Sequence, residues 1–195
     1  MPRLLLGLGN PGPEYRATRH NVGFLVLEEV ARRRGLAFDR EECGARTALG
    51  SAAPAAEVDF AVRLALPQTF MNRSGHSARC LVELYGYAPQ EILVVYDEVA
   101  LPLGRLRIRR SGSPAGHRGI ESILQSLRTD EVPRLRCGVA PEAGPPAGEE
   151  LADFVLSPFE EGEREAVTAM VARAADACEC WLAEGVDVAM TRFNG

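Results

Sequence analysis

The 195-residue chain contains no lysine: all 22 of its basic residues are arginine. That is a bias of composition, and no function follows from it. No apolar run approaches the ~18 residues of a membrane span, and the six residues before the first glycine carry no signal-peptide pattern. A cytoplasmic protein is therefore expected. The cysteines, at 43, 80, 137, 178 and 180, form no C-x-x-C pair and have no nearby His at zinc-finger spacing, which argues against structural zinc. Buried or idle thiols in a reducing compartment are the expectation, with Cys178 and Cys180 on different sides of one helix. G-x-S-x-G is absent and no cysteine lies in a basic loop, so neither a serine nor a cysteine nucleophile is indicated. There is no internal repeat.

What is present suits a globular, soluble protein. A chain of this length with 46% hydrophobic residues can bury one substantial core, and we expect one domain over residues 1–195. The net charge of −5 does not suggest a general nucleic-acid binder, but its distribution is uneven. Between Glu98 and Glu121 there is no acidic residue, while Arg105, Arg107, Arg109, Arg110, His117 and Arg118 all fall there. From Glu142 to Glu165 the chain has eight carboxylates and one arginine. Such asymmetry points to a local anionic ligand.

Short apolar or alternating runs bounded by Gly, Pro and polar residues predict strands at about 3–8, 45–51, 58–66, 92–96, 105–109 and 135–140. Helical spacing predicts helices at about 21–34, 74–86, 116–127 and 159–184, the last with Ser157 as N-cap, Pro158 at N1 and Glu160 at N3. Its stripe of Val167, Met170, Ala174, Cys178 and Trp181 reads as core packing. Residues 141–150, "PEAGPPAGEE", read as flexible. Strands alternating with helices predict an α/β domain with a twisted, mostly parallel or mixed central sheet flanked by helices.

Gly7-Leu8-Gly9-Asn10-Pro11-Gly12 matches the dinucleotide fingerprint G-x-G-x-x-G. Its context does not, because a fingerprint must run directly from strand into helix. Here Pro11 and Pro13 intervene, and helical periodicity begins only near Val22. The segment is a loop of about ten residues with another purpose.

Three polar residues follow apolar strands: Asn10 after "LLLGLG", Asn72 past "VDFAVRLAL", and Asp97 after "ILVVY". Parallel neighbouring strands would bring them into one crevice at the carboxyl end of the sheet, with Tyr15 and His20 delivered to its rim. A carboxylate beside an imidazole suggests a general base and the group that fixes its tautomer, with water as the proton donor. A ring simply bonded to backbone at a helix start is the competing reading, and the pattern alone leaves catalysis undecided. The stretch "RIRRSGSPAGHRGIESI" combines guanidinium groups, a flexible loop and a helix start, which suit a phosphate; a solvated strand and turn is the alternative.

Taken together, "GLGNPGPEYRATRHNVGF" (7–24), "PQTFMNRSG" (67–75), "YDEVALPLGRLRIR" (96–109), "GHRGIESI" (116–123), "PRLRCGVAP" (133–141), "VLSPFEEGE" (155–163) and "TRFNG" resemble the bacterial-type peptidyl-tRNA hydrolases, in that family's order. The resemblance implies a monomeric α/β enzyme that needs no metal or cofactor and hydrolyses the ester between a peptide and the 3′ ribose of tRNA. It implies that His20 activates water, that Asp97 holds it in its basic form and that Asn10 distinguishes a blocked amino group from a free one. Tyr15, Phe70 and Asn72 would line the substrate site, with Met71 beneath, and the 105–119 segment would meet tRNA phosphates. The chain departs from the family where G-H-N-G is usual: Arg118 replaces the asparagine. A catalytically inactive RNA-binding relative is the alternative reading.

Overall fold

In a computed structural model, which describes residues 2–51, 61–146, 148 and 150–195, Leu4-Leu5-Leu6 lies in a strand covered on both faces. The elements in chain order are β1 (Arg3–Gly7), α1 (Val22–Arg34), β2 (Arg40–Glu42), β3 (Ala45–Ser51), β4 (Ala61–Pro67), α2 (Ser74–Tyr85), β5 (Ile92–Pro102), β6 (Leu106–Arg109), α3 (Arg118–Leu127), β7 (Arg134–Ala140), α4 (Glu150–Leu156), α5 (Arg164–Glu184) and α6 (Val186–Phe193). The sheet order is β2-β3-β4-β1-β5-β7-β6. Its centre, β4-β1-β5-β7, is parallel, while β2, β3 and β6 pair antiparallel at the edges.

Leu5, Leu93 and Val95 pack with Val22, Val26 and Leu27 of α1 and with Ala174, Cys178 and Trp181 of α5. Leu4, Leu6, Ile92 and Val94 pack with Ala78 and Leu81 of α2 and Ile120 and Ile123 of α3. Two covered faces explain why the central strands are continuous apolar runs rather than alternating ones. The α/β expectation and its mixed, mostly parallel sheet hold.

Several elements differ from expectation. The predicted strand 58–66 is β4, with 58–60 outside the described residues. β5 continues to Pro102 beyond "ILVVY", with its register against β7 shifting between Glu98 and Pro102. β2, α4 and α6 have no counterpart among the predicted elements. The last long helix starts at Arg164 rather than 159, because Pro158 forms an antiparallel bridge with Thr18 and Ser157 Oγ accepts a hydrogen bond from Arg19. A 3₁₀ turn, Glu161–Glu163, precedes α5, and there the Glu163 carboxylate accepts the Glu160 N–H at 2.6 Å. The cysteine expectation needs correction too. Cys43, in the β2–β3 turn, and Cys80, in α2, form a disulfide with Cα atoms 5.5 Å apart, a pairing no local spacing reveals. Cys137, Cys178 and Cys180 are free and buried, and burial pushes the thiols of Cys137 and Cys178 up.

Candidate functional site

The glycines of the 7–12 stretch are required by packing. A Cβ on Gly7 would lie 2.4 Å from the carbonyl oxygen of Gly23, and one on Gly9 would lie 2.8 Å from the Phe24 ring. Gly23 is equally restricted: a Cβ there would lie 2.3 Å from the Val95 carbonyl oxygen and 2.4 Å from the Leu8 nitrogen. The start of α1 therefore rests directly on the ends of β1 and β5. Gly12, at φ 114°, then turns the chain outwards in a conformation open to glycine. The returning loop ends in a 3₁₀ turn, Arg19–Asn21, that sets His20 beside β5.

His20 Nδ1 lies 2.9 and 3.0 Å from the two Asp97 carboxylate oxygens. Nδ1 is thus the protonated nitrogen, and in the neutral ring the lone pair is on Nε2. β1 ends at Gly7, opposite Val95, so Asp97 has no β1 neighbour and its carboxylate can turn to the crevice. His117 Nε2 donates to the same Asp97 oxygen at 3.0 Å, while its Nδ1 accepts the Ile120 N–H at 3.3 Å and caps α3. Burial pushes the Asp97 carboxyl up, but the two imidazoles outweigh that and hold it well below the usual carboxylate range. Burial also disfavours protonated His20, yet the Asp97 charge and hydrogen bond prevail and leave the ring more basic than an ordinary imidazole.

Asn10 is buried, and its Oδ1 accepts the Met71 N–H at 2.8 Å. That assigns the amide: the end left for the cleft is the NH₂ group, a neutral donor. The same bond ties the β1 loop to the 3₁₀ turn Met71–Arg73, which places Asn72 at the cleft and Met71 beneath it. A Cβ on Gly119 would lie 2.4 Å from Met71 Sδ, so α3 closes tightly behind this turn.

The cleft encloses about 600 Å³ and brings together Asn10, His20, Phe70, Asn72, Asp97 and Arg118. Tyr15 stands outside its lining, edge-on to Phe70 with ring centroids 6.5 Å apart. Arg118 is exposed at the cleft edge, at the first position of α3. Of the other arginines in 105–119, Arg110 pairs with Asp187, and Arg105 donates to the Gly195 carbonyl at 3.3 Å.

Sequence spacing does not reveal three contributors. His117 enters the sequence reading only as charge. Leu151, Ala152, Val155 and Leu156 of α4 form one cleft wall, directly after the stretch expected to be flexible. Arg19 joins that wall to the base: its guanidinium donates to the Ser157 hydroxyl at 2.8 Å and to Glu163 at 2.6 Å, and stacks over Phe154 at 4.4 Å. His20, Asp97 and His117 are also a metal-capable trio. As placed, His20 Nδ1 and His117 Nε2 each face Asp97 Oδ1 at hydrogen-bonding distance, 2.9 and 3.0 Å, so the carboxylate is engaged by the two imidazoles.

A buried carboxylate, an imidazole with a free nitrogen and a fixed amide donor can together activate water towards a carbonyl and stabilise the resulting oxyanion. Comparison with known proteins agrees with such chemistry. The family model for peptidyl-tRNA hydrolase matches residues 4–195. A peptidyl-tRNA hydrolase of Symbiobacterium thermophilum is 43% identical over 194 residues, covering 100% of both chains. One of Herpetosiphon aurantiacus is 45% identical over 193 residues, covering 98% of this chain and 90% of its own. Among crystal structures, the peptidyl-tRNA hydrolase of Acinetobacter baumannii superposes with a TM-score of 0.89 at 31% identity, covering 100% of this chain and 95% of its own.

Proposed function

Because the chain belongs to the peptidyl-tRNA hydrolase family, we propose that its cleft hydrolyses the ester joining an N-blocked peptide to the 3′ ribose of tRNA. His20 Nε2 removes a proton from water as the oxygen attacks the ester carbonyl. Asp97 keeps the ring in the right tautomer and stabilises the imidazolium that forms. The Asn10 NH₂ donates to the developing oxyanion, a role worth about 10²–10³ in rate for a donor of this kind. On collapse the bond from the carbonyl carbon to the ribose oxygen breaks, and that oxygen takes the proton back from His20.

Phe70 and Tyr15 offer an aromatic rim to the terminal nucleotide, and Asn72 a polar contact to the first peptide unit. Arg118 and the exposed arginines of 105–119 suit tRNA phosphates, although the His117 cap takes up one N–H of the α3 start. We assign the enzyme as a cytoplasmic monomer that needs neither metal nor cofactor. The observation that supports this reading is His20, in the cleft lining, held through Nδ1 by both oxygens of a buried carboxylate. An inactive RNA-binding relative is not favoured, since the family match and the full-length relatives are peptidyl-tRNA hydrolases. Release of acetylated amino acid from N-acetyl-aminoacyl-tRNA by the purified protein, undiminished by a chelator, is the expected result. Binding without release would overturn the assignment.

A further inference from the structure

β1 ends at Gly7, so the peptide groups around Asn10 have left the sheet while still inside the protein. Buried backbone groups need partners. Both polar atoms of the Asn10 backbone find theirs in one side chain: Asn21 Oδ1 accepts the Asn10 N–H at 2.9 Å, and Asn21 Nδ2 donates to the Asn10 carbonyl at 2.9 Å. The primary amide thus imitates the edge of a neighbouring strand and prolongs the sheet by one residue. Asn21 is 2% exposed and does not line the cleft.

We propose that Asn21 is a positioning residue that fixes the donor amide of Asn10 in the cleft, so that consecutive residues of one turn supply the base and set the oxyanion donor. The two reciprocal bonds leave the Asn10 backbone no rotation about its own axis. The Met71 N–H then fixes χ2 of the side chain by engaging Oδ1. Three bonds determine where the NH₂ points before substrate arrives, which is the preorganisation that donor catalysis needs. An aspartate at 21 keeps the acceptor for the Asn10 N–H but sets an oxygen against the Asn10 carbonyl. An alanine leaves both groups unpaired.

The inference rests on the proposed role of Asn10, and a double-mutant cycle separates the two. Asn10→Ala alone tests that role: it is expected to lower kcat by about 10²-fold, and an unchanged kcat removes Asn10 from the chemistry. Asn21→Ala is expected to lower kcat by about tenfold or more, with KM within a few-fold, because a misplaced donor is felt mainly in the transition state. In the Asn10→Ala background the same change should have almost no further effect on kcat. An undiminished effect there would overturn the proposal. The acidic limb of the pH profile should stay where His20 puts it, and a moved limb would mean that Asn21 acts through His20 instead. Should Asn21→Ala fail to fold, Asn21→Ser, which adds no charge beside His20, carries the same cycle with the same outcomes.

Discussion

In the proposed mechanism the two nitrogens of His20 have separate tasks: Nδ1 is committed to Asp97, and Nε2 takes the proton of water. The balance of forces on the ring gives a signed prediction. Burial opposes its positive charge and Asp97 favours it, with Asp97 prevailing. Asp97→Asn removes the favourable charge and leaves the burial, so the imidazole becomes harder to protonate. Activity lost on acidification is then lost at lower pH. The acidic limb of the kcat profile should move to lower pH, and its plateau should fall by about 10²-fold or more. An acidic limb at the wild-type position would show that the two groups are uncoupled. At this scale Asn10, His20 and Asp97 are legible in the sequence because each follows an apolar strand or sits on the loop after one. His117 and Asn21 are not, since their roles are fixed by partners 20 and 11 residues away that no spacing rule links.

α4 shows what a periodicity reading misses. At seven residues it is too short to establish a helical period, it follows a Gly- and Pro-rich stretch, and none of its residues is fully buried. Yet it walls the cleft, held there by packing against the His20 turn. The helix-start signal at 157–160 has a similar fate: its Ser157 and Pro158 are drawn into the Thr18 bridge and the Arg19 network. Arg19 is 4% exposed and joins these pieces through Ser157, Glu163, Phe154 and Phe159. Removing one partner of such a buried network leaves the others unpaired. Arg19→Ala should therefore cost about 3 kcal/mol of stability, measured by urea denaturation. Glu163→Gln, at a half-buried carboxylate whose replacement can still accept a hydrogen bond, should cost less. Midpoints for Arg19→Ala within experimental error of wild type would mean that the clamp does not hold the two segments together.

For the molecule as a whole, the fold class is readable from strand and helix alternation, and the family from motifs spread across nearly the entire chain. The 43–80 disulfide is not readable, because it joins a turn and a helix that only the folded sheet brings together. The electrostatic asymmetry finds its place at the cleft: Arg118 opens α3 at one side, and the acidic segment carries α4 at the other. If Arg118 meets a tRNA phosphate, Arg118→Ala should weaken tRNA binding and make its salt dependence shallower by up to about one phosphate's worth. Parallel lines in a plot of log affinity against log salt would mean that it contacts no phosphate. Binding and chemistry are separable, however, and the central claim concerns chemistry: water attacks an ester because His20 takes its proton. The most direct test is kcat for N-acetyl-aminoacyl-tRNA with His20→Ala, alongside the affinity of the same variant for tRNA. The account predicts a fall in kcat of at least ~10²-fold with affinity unchanged within a few-fold; a kcat equal to wild type would contradict it.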